Sequence, residues 1–90
     1  MSTTTEPIAY QEVMDGFDKV TALRDQADAA ARVTAQDLLK SYDKTLPKYL
    51  RDSLRRSAHS TAQRYANHTA AANALAADLH ARIEAGKVLS

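Results

Sequence analysis

The feature that most constrains this chain is a stretch of residues 48–85 that contains neither proline nor glycine. Apolar or small residues recur along it at steps of three and four, which is the spacing of one face of an α-helix. Pro47 favours the first turn of a helix and disfavours helical geometry at the residue before it, and Gly86 is a typical stop residue. The stripe consists of Leu50, Leu54, Ala58, Thr61, Tyr65, His68, Ala72, Leu75, Leu79 and Ile83. The sequence therefore predicts one long helix over 48–86.

A second helical pattern of apolar residues precedes this stretch and covers residues 8–42. Gly16 lies inside it, at a cost of about 1 kcal/mol relative to alanine. Between the two patterns, Thr45 or Asp43 is placed to cap the following helix. We predict a single helical domain over 1–90, with a frayed N-terminus at 1–7, a helix at 8–42, a turn at 43–47, a helix at 48–86 and a tail at 87–90.

The small side chains of the predicted stripes limit how much surface the two helices bury against each other. Alanine occurs 18 times in the 90 residues, and helices of this length are rods of about 50 to 57 Å. A lone hairpin of such rods buries little apolar surface. We therefore expect an all-α fold, a long antiparallel two-helix hairpin that pairs into a four-helix bundle as a homodimer or with a related hairpin. The alternative is a compact three-helix bundle, with the second helix broken near 59–61 or 67–69.

The residues of the apolar stripes are the predicted protein interface. This set comprises Val13, Phe17, Val20, Leu38, Leu54, Tyr65, His68, Leu75 and Leu79. His68 is its polar member, and we interpret it as a partly buried side chain that fixes the register of the helices.

Charge is distributed unevenly along the chain, although the net charge is only +1. Residues 1–47 carry eight acidic and five basic groups, whereas residues 48–90 carry three acidic and seven basic groups. Lys48, Arg51, Arg55 and Arg56 begin the second predicted helix and are candidate phosphate contacts. They support an alternative function, a small helical protein that binds nucleic acid, although we regard a solvated surface as the better interpretation.

Enzymatic and metal-binding functions find little support in the residues. The chain has no cysteine, and His59, His68 and His80 lack the spacing of a four-ligand zinc site. No nucleophile stands beside a base and a glycine-rich turn, so we predict no catalytic residue, no cofactor and no metal. No apolar run reaches the length of about 18 residues that a membrane span needs. We expect a protein that is cytoplasmic, or secreted without a cleavable signal peptide.

One motif near the C-terminus points to a known family. His80 and Glu84 match in form the Tyr- or His-x-x-x-Asp/Glu signal of the Trp-x-Gly family of early secreted antigenic targets, which are substrates of type VII secretion. The plan of residues 8–86 also resembles that family, but the turn reads Thr-Leu-Pro-Lys over 45–48 and the chain has no tryptophan. The resemblance implies a non-enzymatic protein that dimerises as a four-helix bundle and is a secretion substrate or the partner of one. Phage or plasmid accessory proteins and adaptors fit the composition equally well.

Overall fold

The structure is a computed structural model that describes residues 8–86 and 88–89, with side chains from 9 to 86. Its elements in chain order are β1 (Ile8–Ala9), α1 (Tyr10–Ser41), α2 (Lys48–Gly86) and β2 (Val88–Leu89). α1 and α2 lie side by side as an antiparallel hairpin, which confirms the predicted all-α hairpin. The three-helix alternative is wrong, because α2 continues without a break through 59–61 and 67–69.

The first helix begins later than predicted. Ala9 has an extended backbone (φ −69°, ψ 146°), so α1 begins at Tyr10 rather than at residue 8. Ile8 and Ala9 form β1 instead, which pairs in parallel with Val88 and Leu89 of β2. The predicted C-terminal tail therefore includes a short strand, and the predicted frayed segment 1–7 lies outside the described residues.

The turn between the helices is held by Asp43. Its Oδ1 atom accepts hydrogen bonds from the backbone N–H of Thr45 at 2.9 Å and from the Thr45 hydroxyl at 2.6 Å. These bonds lower the pKa of Asp43 below its ordinary value of 3.8, the hydroxyl having the larger effect. The stabilisation is present above pH 3.8 and is lost as the pH falls through the lowered pKa. The carboxylate thus acts within the turn, whereas Leu50 and Arg51 in the first turn of α2 donate their backbone N–H groups to the Pro47 carbonyl.

The core is thin and concentrated away from the turn. Val20, Ala72 and Leu79 form its buried cluster, towards the end of the hairpin where the chain termini lie. The partly buried side chains packed against this cluster are Val13, Leu23, Leu75, Ala76 and Ile83. Nearer the turn, the buried side chains are the small Ala58 and Ser41, and the Thr34 and Thr61 hydroxyls form a 2.6 Å hydrogen bond between the helices. The hairpin is consequently a flat rod of 61 × 23 × 13 Å with little apolar interior.

Gly16 allows the closest approach in this core. A β-carbon built on Gly16 would lie 2.7 Å from both terminal methyl groups of Leu79 and 3.2 Å from its Cγ atom. The Leu79 side chain therefore occupies the space that any other residue at position 16 would fill. The glycine that weakens α1 locally is needed by the packing of α2 against it.

Candidate interaction face

The seam of the hairpin follows a seven-residue repeat. Along α1, one row of buried or partly buried residues consists of Val13, Val20, Ala27, Thr34 and Ser41. Along α2, a row of partly buried residues consists of Leu54, Thr61, His68, Leu75 and Arg82. A strict seven-residue period is the pattern of helices that coil around each other with a left-handed twist. The rows that neighbour these two therefore stay on the same side of the seam along most of the rod.

One side of the hairpin is apolar, and we call it the apolar face. Six residues line a shallow groove there: Ala31, Thr34, Ala35 and Leu38 from α1, and Ala62 and Tyr65 from α2. Phe17 belongs to the same row as Ala31 and Leu38, because it precedes them by 14 and 21 residues, and the exposed Arg24 lies between Phe17 and Ala31 in that row. Phe17, Leu38 and Tyr65 are exposed. The apolar face thus extends from the groove towards the termini.

The opposite side of the hairpin is polar, and we call it the polar face. Arg82 donates to the Glu12 carboxylate at 3.0 Å, and the Ser57 hydroxyl donates to the Asp37 carboxylate at 2.7 Å, so each contact links α1 to α2. A second shallow groove on this side is lined by Gln26, Ala29, Ala30, Val33, Thr61, Arg64 and His68. The described hydrogen bonds to carboxylates across the seam therefore lie on this side of the rod.

The predicted interface residues divide between the inside of the hairpin and its surface. Val20 and Leu79 are buried between the helices, and Val13 and Leu75 pack against them, so these four stabilise the hairpin itself rather than facing a partner. Leu54 and His68 are half-buried at the seam, the histidine at the groove of the polar face. The remaining three predicted residues, Phe17, Leu38 and Tyr65, lie on the apolar face. The predicted interface set did not include the alanines that line the groove, although the seven-residue recurrence that places them can be read in the sequence.

The four candidate phosphate contacts have different surroundings. Lys48 and Arg56 are exposed at the start of α2. The Arg55 guanidinium lies 5.7 Å from the centre of the Tyr42 ring and 3.7 Å from an oxygen of Asp52. Arg51 is half-buried, and its Nε atom is buried without a hydrogen-bond partner. Arg55 is thus partly committed to contacts within the hairpin, and Arg51 is partly withdrawn from solvent.

The other sequence candidates lie apart from the apolar groove. His80 and Glu84 of the candidate secretion motif are exposed, one turn apart near the end of α2. In the part of the chain that the structure describes, no three His, Asp or Glu side chains are gathered as a metal ion requires. Neither described helix is long and apolar enough to cross a bilayer.

Similarity to known proteins gives no indication of the function of this chain. No protein-family model matches the chain, and no curated protein or solved structure gives a significant match.

Proposed function

We propose that this protein is a non-enzymatic interaction module that pairs through its apolar face with a second copy of itself, forming a four-helix bundle. The observation that carries the proposal is the exposure of Phe17 and Leu38 in one row of α1, with Tyr65 beside Leu38 across the groove. Water contacts these side chains in the single hairpin. Burying them against a matching face is favourable at about 25 cal/mol per Å² of apolar surface.

The shape of the hairpin supports a second copy as the partner. At 13 Å the rod is one helix layer thick, whereas compact domains have at least two packed layers. Its broad side measures 61 × 23 Å, a footprint on the order of 1,400 Å², which exceeds the ~800 Å² per partner of a standard interface. A two-fold axis would bring identical apolar faces together, as in most homodimers.

The polar face is unsuited to the same role. Its side chains already contact each other across the seam, as Glu12 does with Arg82 and Asp37 with Ser57. Covering them with an apolar surface would remove water from charged groups at a cost that a matching hydrophobic face does not return. The difference between the two faces thus predicts which side of the hairpin a partner covers.

The proposal is tested with two matched substitutions. Leu38 on the apolar face and Val33 on the polar face are 42% and 41% exposed. We expect light scattering to give twice the 9.8 kDa of one chain for the wild type and for Val33→Glu, and a monomer or a much weaker dimer for Leu38→Glu. The physical reason is that a carboxylate on the apolar face loses its water when the faces meet.

Two results would contradict the pairing proposal. One is a wild-type chain that stays monomeric at high concentration with its full helical circular dichroism. The other is dissociation by Val33→Glu while Leu38→Glu remains dimeric, which would place the partner on the polar face.

Export by a type VII secretion system is the second part of the proposal. Its support is the resemblance carried by His80 and Glu84, together with the exposure of both side chains on the hairpin. We expect the double variant His80→Ala/Glu84→Ala to keep the solution mass of the wild type and to lose export from cells that have such a system. Export at the wild-type level by this variant would remove the motif from the proposal.

A further inference from the structure

The most exposed large apolar side chains of the described hairpin are gathered at its tip, which we define as residues 39–50. Leu39, Tyr42 and Tyr49 are 75%, 71% and 70% exposed. They lie within three residues of Ser41, where α1 ends, or of Lys48, where α2 begins. At a rise of 1.5 Å per residue, they fall within about 5 Å of the end of the rod. The tip is therefore a convex apolar end, distinct from the groove of the apolar face.

Charge is also separated along the rod, from one end to the other. Residues 40–56, at and just behind the tip, carry six basic and two acidic side chains. The opposite end, residues 10–28 and 70–86, carries seven acidic and three basic ones. The hairpin therefore has a positive tip and a negative end, although its net charge is close to zero. A rod with this polarity turns its tip towards a negatively charged surface.

The lysines of the tip are available for such a surface. Lys40, Lys44 and Lys48 are exposed, and none has an ion-pair partner among residues 9–86. Asp43, the one carboxylate between them in sequence, is occupied by the Thr45 bonds that hold the turn. The cations at the tip thus outnumber the groups that could neutralise them locally.

We propose that the tip docks end-on on an anionic lipid surface. Leucine and tyrosine side chains at a convex end can enter the interfacial layer of a bilayer, where the tyrosine ring lies among apolar groups and its hydroxyl remains hydrated. The lysines around them reach the headgroup phosphates. The structure favours lipid over nucleic acid because Leu39, at 75% exposed, can be buried in the interfacial layer of a bilayer, whereas a leucine side chain makes no contact of value with a phosphate backbone.

This inference does not depend on the pairing proposal. Leu39, Lys44 and Tyr49 lie outside the set of residues that lines the groove of the apolar face. Tip variants should therefore leave the solution mass unchanged, and failure of lipid binding would leave the dimer intact.

The first experiment uses two variants, each with a single tryptophan at one end of the hairpin, because the chain itself has no tryptophan. Tyr49→Trp reports on the tip and Tyr10→Trp on the opposite end, and both positions are exposed. With vesicles of equal parts phosphatidylglycerol and phosphatidylcholine at low salt, we expect a blue shift of emission for Tyr49→Trp only. Pure phosphatidylcholine should produce none, and added salt should reduce the shift because it screens the lysines. A shift for Tyr10→Trp alone, or none for either variant, overturns the proposal.

The second experiment distinguishes binding through the tip from a general effect of net charge. Lys44→Gln/Lys48→Gln should weaken vesicle binding about 25-fold, at roughly fivefold per lysine. The control Lys19→Gln/Arg32→Gln removes the same charge from exposed positions behind the tip and should change binding by less than about fivefold. Equal losses for both pairs would overturn docking by the tip. Equal or tighter binding of a DNA duplex, with Leu39→Gln affecting neither ligand, would also overturn it in favour of a general phosphate binder.

Discussion

Replacement of Leu79 by alanine is expected to lower the free energy of unfolding by about 2 to 5 kcal/mol. Leu79 is 3% exposed and belongs to the only buried cluster of the described hairpin, with Val20 and Ala72. Its loss removes apolar burial and leaves a cavity beside Gly16 that the helices can close only by shifting. Urea denaturation followed by circular dichroism at a fixed chain concentration measures the effect, because pairing would add a concentration-dependent contribution.

Leu39→Ala is the matched control for that prediction. Leu39 is among the most exposed leucines of the same hairpin, so the identical change should alter the free energy of unfolding by less than about 0.5 kcal/mol. Equal losses for the two variants would show that the buried cluster does not account for stability.

The second large effect is expected at Gly16. Alanine there should stabilise α1 by about 1 kcal/mol on helix propensity alone. The added β-carbon, however, would meet both Leu79 methyl groups at 2.7 Å, and overpacking of this kind costs about 1 to 3 kcal/mol. We therefore expect Gly16→Ala to destabilise the protein by up to about 2 kcal/mol, the difference of these two terms.

A double-mutant cycle isolates the cause. In the Leu79→Ala background the methyl groups that obstruct position 16 are absent, so Gly16→Ala should become stabilising, by about 1 kcal/mol. The sign of the same substitution thus depends on the residue across the seam. Additive effects of the two changes would mean that Gly16 and Leu79 do not touch in solution.

The hairpin was predictable because its signals are local. Pro47 and Gly86 mark the start and end of α2, and the spacing between them is helical throughout. The exact start of α1 was not predictable, since Ile8 and Ala9 pair with Val88 and Leu89, some 80 residues away in sequence. Pairing over that separation leaves no mark in the local pattern.

The predicted interface residues likewise show which properties follow from local sequence patterns and which depend on how the helices pack. Val20, Phe17 and Leu38 are equally apolar in sequence, yet the first is buried inside the hairpin and the other two lie on the apolar face. Which of the neighbouring rows faces the partner helix depends on the rotation of α1 against α2. The observed rotation brings Leu79 against Gly16 and allows the hydrogen bond between Thr34 and Thr61. Both contacts join residues far apart in the chain.

By itself, then, the sequence determined two long helices, a single turn and a seam of mostly small side chains, because helix periodicity, proline, glycine and alanine content act locally. Only the tertiary structure decided which side of the rod is apolar, why Gly16 is needed and how charge separates from tip to base. These properties depend on the register and rotation of one helix against the other. Register is determined by contacts such as Leu79 on Gly16, which form only when the antiparallel helices meet.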